Sequence, residues 1–344
     1  MEKTRILVTG GTGYIGSHTV VELQNAGYEV IIIDNLSNSN INVLDGIEAI
    51  TGKRPVFVEG DVCNIDTLKS IFEQYPGIKG IINFAASKAV GESIEKPSLY
   101  YRNNLVSLLN LLDLMPVYGV KGIVFSSSCT VYGEPDVNPV TEQTPIKSAT
   151  SPYGNTKQIS EEIITDVIKS GAPVKSVILR YFNPVGAHPS ALIGELPNGV
   201  PQNLVPYLTQ TAIGIREVLS VFGDDYDTPD GSCIRDFINV VDLAKAHVIA
   251  MDRMLTDRSE DSVEIFNLGT GNGVSVLELI QSFERSTGVK VNYKISPRRP
   301  GDIVKVWADP SHANNVLGWK AQETLDDTML SAWKWQLQLR ERGL

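Results

Sequence analysis

The start of the chain carries the pattern that most constrains its fold: an apolar run, a glycine-rich turn and then a helical period. Residues 5–9 (RILVT) predict a strand, and apolar residues recur at helical spacing through position 26. The glycines between them follow G-x-x-G-x-x-G, a spacing variant of the dinucleotide fingerprint. Because glycine lacks a Cβ, the backbone can approach a pyrophosphate at the helix N-terminus, where free N–H groups and the helix dipole favour an anion. The turn therefore predicts a dinucleotide site at Gly10, Gly13, Tyr14, Ile15 and Gly16.

A second apolar run, residues 30–33, ends in Asp34. A carboxylate at this strand end can accept hydrogen bonds from the adenosine ribose hydroxyls, and it repels a 2′-phosphate. NAD is therefore predicted in preference to NADP.

Strand-like and helical runs then alternate along the chain. This rhythm predicts an α/β fold, namely a doubly wound parallel sheet of the Rossmann type with helices on both faces. Ligands bind such sheets at the carboxyl ends of the strands. At those ends Asp61 can bond an adenine amino group, and the small Ala85 and Ala86 leave room for a cofactor, although each can also be an ordinary loop residue.

The run S-P-Y-G-N-T-K places Tyr153 and Lys157 four residues apart on one helix face. A nearby ammonium favours the phenolate form of a tyrosine, so the pair predicts a base that takes a proton from a sugar or alcohol hydroxyl. A hydroxyl at the preceding strand end, residues 126–128, can bond the reacting oxygen. A lone Y-x-x-x-K pair also occurs on ordinary exposed helices, so the neighbouring motifs decide.

Composition excludes several classes of function. The 344 residues carry a formal charge of −10 and a pI near 5.0, which disfavours nucleic-acid binding. No run reaches membrane-spanning length, and the first five residues enter an apolar run without a signal-peptide core, so a cytoplasmic protein is predicted. The scattered cysteines and histidines predict neither a metal site nor a disulfide framework: Cys63, Cys129, Cys233, His18, His188, His247 and His312.

A Pro- and Gly-rich span, residues 184–199, breaks the alternation and predicts a domain change. Residues 1–183 with 236–272 are expected to form the nucleotide-binding domain, and residues 184–235 with 273–344 a smaller, mixed α/β substrate domain. Asp242 is a plausible helix N-cap. Trp319, Trp333 and Trp335 are interpreted as core residues.

Three motifs together resemble the extended short-chain dehydrogenase/reductase family: the glycine turn, the run 126–133 (SSSCTVYG), and Tyr153 with Lys157. Residues 180–189 (RYFNPVGAHP) and 297–302 (PRRPGD) make the chain similar, over essentially its whole length, to the UDP-glucose (UDP-galactose) 4-epimerases. The resemblance implies cofactor contacts at Asp34, Asn35, Asp61, Val62, Phe84, Ala85, Lys88, Asn103, Tyr153, Lys157 and Tyr181. It implies substrate contacts at Ser128, Tyr153, Asn183, Asn203, Phe222, Arg235, Arg299 and Asp302.

The implied chemistry agrees with the residues. A sugar C4–H is not acidic, so inversion by proton removal alone is prohibitive. Transfer of hydride to NAD⁺ while Tyr153 takes the hydroxyl proton gives a planar 4-keto centre, and hydride can return to its other face after the sugar turns over. Such a mechanism needs a firm grip on the diphosphate, for which Arg235 and Arg299 are suited.

Two positions depart from the family pattern. Val306 stands where the family often has a bulky tyrosine beside the hexose, so we hypothesise that UDP-N-acetylglucosamine is also accepted; alternatively, Val306 merely packs and nearby loops fill the space. Ala86 and Ser87 replace a more usual glycine and apolar residue, which puts local cofactor contacts in doubt.

Two other functions compete with this interpretation. Related 4,6-dehydratases need an acid/base pair, typically Asp-Glu, after the strand-end hydroxyl, whereas this chain has Cys129 and Thr130. A non-catalytic NAD-sensing protein has no need of Ser128, Tyr153 and Lys157 together.

A homodimer is predicted from an apolar stripe on the helix of residues 99–115, at Leu105, Leu108, Leu109 and Leu112. In the resembled family two helices per subunit form the dimer contact, and the other helix here begins at Tyr153. The alternative is that the stripe belongs to a buried core helix.

Overall fold

A single parallel sheet organises the strands and helices of the computed structural model, which describes residues 4–299 and 302–344. Pro300 and Gly301 of the 297–302 motif, and the first three residues used in the leader argument, lie outside the described residues. The strands are β1 (Arg5–Thr9), β2 (Glu29–Asp34), β3 (Val56–Glu59), β4 (Ile78–Asn83), β5 (Gly122–Ser126), β6 (Lys175–Tyr181), β7 (Asn183–Val185), β8 (Leu219–Phe222), β9 (Ile234–Arg235), β10 (Phe237–Asn239), β11 (Val263–Leu268), β12 (Val274–Ser275), β13 (Tyr293–Ser296) and β14 (Lys305–Val306).

The helices surround this sheet and build the remainder of the chain. They are α1 (Tyr14–Asn25), α2 (Val43–Thr51), α3 (Ile65–Gln74), α4 (Val90–Glu95), α5 (Pro97–Tyr118), α6 (Pro152–Lys169), α7 (Leu204–Ala212), α8 (Val240–Leu255), α9 (Val276–Thr287) and α10 (Leu325–Glu341). A 3-10 helix covers Cys129–Tyr132, and a π-helical turn covers Ala313–Leu317.

The large sheet has seven strands in the order β11-β6-β5-β4-β1-β2-β3, and all of its pairs are parallel. The order reverses direction between β1 and β4, which makes their carboxyl ends a topological switch point where ligands bind in such folds. The doubly wound α/β fold predicted from the sequence is confirmed.

Both faces of the sheet are covered by apolar helices. Along β1, Ile6 and Val8 pack on one face with α1 and α8, while Leu7 packs on the other with α3, α5 and α6. This alternation follows from the two-residue period of a strand. Burial of each such side chain contributes about 1.5–3 kcal/mol.

A separate apolar core forms in the second part of the chain. Its helices α7, α9 and α10 pack around Leu208, Phe283 and Met329. Its small sheets pair β8 with β13, and β9 with both β12 and β14. Trp319, just beyond the π-helical turn, packs instead into the core beneath the large sheet, and Trp335 is also buried.

The structure corrects one local prediction. Asn239, not Asp242, is the N-cap of α8, and its side chain accepts a hydrogen bond from the Val241 N–H at 2.8 Å. Asp242 lies in the first turn, where it accepts backbone N–H groups of Gln322 and Glu323 at 2.8 and 2.9 Å. The Asp242 carboxylate, which was predicted to cap α8, therefore binds backbone N–H groups far along the chain instead.

Two features are absent from residues 4–299 and 302–344. No helix there is both long and apolar enough to cross a membrane. In the same part of the chain, no group of three or more His, Cys, Asp or Glu side chains is arranged to hold a metal ion.

Candidate active site

The glycine turn after β1 forms one wall of the site. Gly13 is the N-cap of α1 without a side-chain cap, and the first turn carries no acidic residue. A Cβ on Gly16 would lie 2.2 Å from the Gly10 carbonyl oxygen, and Gly10 itself has φ +69°. Glycine is therefore required for this tight turn, and the uncapped N–H groups of α1 fit the pyrophosphate of a dinucleotide.

Asp34 lies at the end of β2 and is almost fully buried. Its carboxylate accepts the Thr12 N–H at 3.2 Å, the Leu36 N–H at 2.9 Å and the Ser39 hydroxyl at 3.2 Å. The carboxylate thus stabilises the glycine turn through its hydrogen bond with Thr12. Carboxylate oxygens have further lone pairs, so Asp34 can also accept hydrogen bonds from a ribose, as the sequence predicted.

Three further predicted cofactor residues, Asn35, Asp61 and Val62, lie just after the ends of β2 and β3. Asn35 and Asp61 are exposed, and their side chains accept the backbone N–H two residues further along. Val62 is buried in the core, so its side chain contributes packing. These placements leave the Asn35 and Asp61 side chains open to solvent for a ligand.

A polar network follows the end of β4. The Ala85 N–H donates to the Thr9 hydroxyl at 3.2 Å, and Asn103 donates through Nδ2 to the Ser87 hydroxyl at 3.0 Å. Asn104 Oδ1 accepts the Ser87 N–H at 2.8 Å. Ser87, which the sequence marked only as a departure, therefore anchors the predicted cofactor residue Asn103.

Two further predicted cofactor residues lie on either side of this network. Phe84 packs against His247 with ring centroids 4.7 Å apart. Lys88 is exposed and lies 4.0 Å from Glu195, whose own carboxylate accepts Asn203 Nδ2 at 2.6 Å. Glu195 thereby links a predicted cofactor residue to a predicted substrate residue.

Helix α6 carries the predicted base. Ser151 caps it by accepting the Gly154 N–H at 3.2 Å, and Pro152 occupies the first turn, where its missing N–H costs no hydrogen bond. Lys157 is buried, with Nζ donating to the Ser126 carbonyl at 2.6 Å and lying 5.9 Å from the Tyr153 ring centroid. Burial lowers the pKa of Lys157 to about 8, and Glu161 opposes that shift.

The electrostatics of Tyr153 differ from the sequence prediction. Burial raises the pKa of Tyr153 well above its usual value, and Tyr181 adds to the rise, while the Ser128 side chain acts to lower it. The sequence predicted a net lowering by Lys157. Burial of the phenol dominates, and the Lys157 ammonium is directed to the Ser126 carbonyl.

Ser128 and Tyr181 complete the strand-end cluster. Ser128 is buried and caps the 3-10 helix by accepting the Thr130 N–H at 3.2 Å. The Tyr181 hydroxyl is hydrogen-bonded to the Ser126 hydroxyl, and burial raises its pKa to about 12. The structure thus brings Ser128, Tyr153, Lys157 and Tyr181 together at the carboxyl ends of β5 and β6.

Apart from Ser128, Tyr153 and Asn183, the predicted substrate residues come from the second part of the chain. Arg299 is exposed, pairs with Asp302 at 2.6 Å, and lies 5.5 Å from the ring of Phe222. Val306 is the strand partner of Arg235 in the β14–β9 pair.

The remaining substrate predictions differ in exposure. Val306 is only 3% exposed and packs with Val131, Tyr132 and Ala308. These contacts agree with the alternative that Val306 is a packing residue. Asn183 lies in β7, and Asn203 is exposed at the start of α7.

Sequence reasoning missed several buried charges at this site. Glu161 binds Arg180, and Asp236, next to Arg235, accepts backbone N–H groups of Thr270 and Ala308. Only the spacing of Glu161, four residues after Lys157, gave any signal in the sequence.

The fold and the Tyr153–Lys157 cluster define the class, an extended short-chain dehydrogenase/reductase. The family model described as GDP-mannose 4,6 dehydratase matches residues 7–331. A UDP-glucose 4-epimerase from Bacillus subtilis (strain 168) is 50% identical over 331 residues, 96% of this chain and 96% of its own.

Solved structures agree with these matches. A UDP-glucose 4-epimerase from Bifidobacterium longum, in complex with NAD⁺ and UDP, is 49% identical with a TM-score of 0.93, covering 97% of this chain and 98% of its own. One from Stenotrophomonas maltophila, with bound NAD and formylated UDP-arabinopyranose, is 47% identical with a TM-score of 0.95, covering 98% and 99%. The chain belongs to the UDP-glucose 4-epimerase family.

Proposed function

We propose that this chain is an NAD-dependent isomerase that interconverts UDP-glucose and UDP-galactose at carbon 4 of the hexose. The observation that carries the proposal is the meeting of Ser128, Tyr153 and Lys157 at the same sheet edge as the uncapped N-terminus of α1. The family relatives and their NAD and UDP complexes support it.

Tyr153 takes the proton of the sugar 4-hydroxyl and later returns it, and this proton transfer together with the loss of hydride from carbon 4 gives a 4-keto sugar. Ser128 hydrogen-bonds the reacting oxygen. Lys157 is held by the Ser126 carbonyl with its charge near the phenol, and it binds the ribose next to the nicotinamide. When bound, NAD⁺ would supply the oxidant for carbon 4, as a reversible acceptor of hydride.

The cofactor is held along the switch point of the sheet. Gly10, Gly13, Tyr14, Ile15 and Gly16 hold its pyrophosphate at the start of α1, together with Lys88. Asp34, with Asn35, binds the adenosine ribose, and Asp61 with the Val62 backbone binds adenine. Phe84, Ala85, Asn103 and Tyr181 would hold the nicotinamide half, with Ala85 and Asn103 fixed by Thr9 and Ser87.

The UDP-sugar is held mainly through its nucleotide. Arg235 and Arg299 bind the diphosphate as fixed cations, and Phe222 lies beside Arg299 as a stacking surface. Asn183, Asn203 and Asp302 add polar contacts. A firm hold on UDP with few contacts to the hexose lets the keto sugar turn over between its two faces.

The domain assignment is proposed on the separate cores. Residues 1–183 with 236–272 bind NAD, and residues 184–235 with 273–344 bind the UDP-sugar. Within the second range, Trp319 contacts the core beneath the large sheet. The homodimer is proposed on the exposed part of α5, and the cytoplasmic location stays a prediction from the sequence.

Water elimination by a dehydratase is the competing reaction. It needs an acid beside the leaving hydroxyl, and the residues after Ser128 do not provide one. Burial raises the pKa of the Cys129 thiol to about 11, with Arg235 opposing, and the Thr130 hydroxyl is buried without a hydrogen-bond partner among the described residues. A non-catalytic NAD sensor has no use for the catalytic cluster.

The test is turnover without net redox change. The purified protein is incubated with UDP-galactose, and separately with UDP-N-acetylgalactosamine, without added reductant, and both are followed by anion-exchange chromatography. Conversion of UDP-galactose to UDP-glucose without accumulation of NADH is expected. Unchanged UDP-galactose in the presence of demonstrably bound NAD⁺ would refute the epimerase assignment.

A further inference from the structure

Three consecutive serines at the end of β5 each contact a different residue on one face of α6. The Ser126 carbonyl accepts Lys157 Nζ at 2.6 Å, and the Ser127 hydroxyl donates to Glu161 Oε1 at 2.5 Å. The side chain of Ser128 interacts with Tyr153. The three helix residues are spaced by four and therefore lie in one row along the helix.

Glu161 is fixed in turn by Arg180 on the neighbouring strand β6. Arg180 Nε and Nη2 bind the carboxylate at 3.0 and 2.6 Å, and both side chains are at least 90% buried. Arg180 Nη1 also donates to the hydroxyl of Tyr132 at 3.1 Å, and Tyr132 donates to Asn267 at 2.6 Å. The Glu161 carboxylate is therefore held from the end of β5 by Ser127 and from β6 by Arg180.

The proposed mechanism assigns none of these groups a role, although they join the helix that carries the base to the strand that carries its hydrogen-bonding partner. We infer that Ser127, Glu161 and Arg180 form a positioning unit, which fixes the register between α6 and the end of β5 at which Tyr153 and Lys157 act on substrate. The inference rests on the proposed function. The mechanism places none of these three residues against the sugar 4-hydroxyl or carbon 4. They therefore act through Tyr153 and Lys157.

The unit also sets the charge balance around Lys157. Desolvation lowers the pKa of this buried ammonium to about 8, and the negative charge of Glu161 opposes that lowering. Loss of the carboxylate charge would lower the pKa of Lys157 further, and the unpaired Arg180 guanidinium would act in the same direction. The other ionisable groups around this face are Tyr153 on α6, Tyr181 on β6, Tyr100 on α5, and Cys129 and Tyr132 in the 3-10 helix.

The chain contains a matched pair remote from the cluster. Arg253 of α8 binds Glu264 of β11 in the same two-pronged geometry, at 2.9 and 2.8 Å, and both side chains are at most 9% exposed. Glu161→Gln and Glu264→Gln therefore remove the same charge from equivalent buried pairs. Ser176 on β6 is buried with its hydroxyl unpartnered among the described residues, so Ser176→Ala is the control for Ser127→Ala.

The experiment measures kcat and KM for UDP-galactose from pH 6 to 10 in the NAD-loaded wild type and these four variants, with the unfolding temperature of each. We expect Glu161→Gln to lower kcat about tenfold or more with little change in KM, because a displaced base is lost from the transition state and not from substrate binding. Its rate should also begin to fall at a lower pH than in the wild type. Ser127→Ala should lower kcat by a smaller factor. This variant tests the same contact without removing a buried charge.

The controls separate positioning from stability. Glu264→Gln should lower the unfolding temperature as Glu161→Gln does, yet keep the wild-type kcat and pH profile, and Ser176→Ala should match the wild type. The inference would be overturned if Glu161→Gln and Ser127→Ala kept the kcat of their controls and if their rates fell at the same alkaline pH as in the wild type. That result would leave the proposed function standing. A wild type without turnover would overturn the proposed function and the inference together.

Discussion

At Tyr153, burial and hydrogen bonding act on the pKa in opposite directions. Burial raises it, and the Ser128 side chain lowers it. The residue can act as a base only where a nearby positive charge offsets the burial, and Lys157 is the cation the chain itself places there.

Replacement of the phenol tests the assigned base. Tyr153→Phe removes only the hydroxyl, so we expect kcat to fall about 100- to 10,000-fold while NAD binding persists. Turnover of UDP-galactose and the amount of bound NAD are the measurements. Tyr118→Phe, at a hydroxyl that donates to Glu73 on the surface, is the control and should keep full activity. Equal activities in the two variants would remove Tyr153 from the mechanism.

Val306 tests substrate range at the scale of one side chain. It is buried beside Ala308 and opposite Arg235. If its small volume admits a 2-N-acetyl group, Val306→Tyr should lower turnover of UDP-N-acetylgalactosamine much more than that of UDP-galactose. The measurement is the ratio of the two rates, with the unfolding temperature to detect overpacking. An unchanged ratio would show that the position does not control access.

The glycine turn belongs to the scale of the β1–α1 element. Gly16→Ala would place a methyl group 2.2 Å from the Gly10 carbonyl oxygen and 2.9 Å from Gly11 Cα, so the turn must open. We expect loss of bound NAD and a lower unfolding temperature, measured by calorimetry with and without added NAD⁺. Gly91→Ala is the control, because its Cβ meets no atom within 4 Å. Retention of NAD by Gly16→Ala would contradict the assigned pyrophosphate site.

Helices α1 and α8 each bury a neutral histidine. Burial lowers the pKa of His18 to about 3 and of His247 to about 4, and the Nε2 atoms of both lack hydrogen-bond partners in the described structure. Since the unfolded chain binds these protons near pH 6.5, stability is complete above that pH and is lost as the pH falls toward 4.

The expected loss at pH 5 is about 2 kcal/mol from His247 alone, relative to pH 7.5. Denaturant unfolding of the wild type and of His247→Gln at the two pH values measures it, and the variant should lose less stability on acidification. His312→Gln, at an exposed position, should behave as the wild type. Equal pH dependence in all three proteins would show that His247 does not titrate as described.

For the whole molecule, the apolar stripe on α5 divides between core and surface. Leu108 and Leu112 are buried under the sheet, whereas Leu109 is 40% exposed, with Leu99 on the same helix 48% exposed. The buried half agrees with the core alternative considered from the sequence. The exposed half is the part available for a second copy of the chain.

Light scattering at micromolar protein is expected to give a dimer mass. Leu109→Lys should shift the protein toward monomer, because a lysine head in an apolar contact must be desolvated. Ile215→Lys, at another exposed apolar residue, should leave the mass unchanged. A monomeric wild type would refute the dimer.

The sequence alone determined the features that depend on short-range spacing. The glycine turn, the alternation of strands and helices and the Tyr153–Lys157 pair are local patterns, because each is read from residues only a few positions apart. Strands β6 (Lys175–Tyr181) and β8 (Leu219–Phe222) likewise fall on short, largely apolar runs of the sequence.

Only the tertiary structure decided which distant groups meet. Glu161 with Arg180, Lys88 with Glu195, and Val306 with Arg235 join residues that no local period relates. Burial, which no local pattern specifies, reversed the predicted direction of the Tyr153 pKa. Charges and polar atoms removed from water take whatever partner the fold places within reach, because an unpaired buried group is costly, and that choice exists only once the chain has folded.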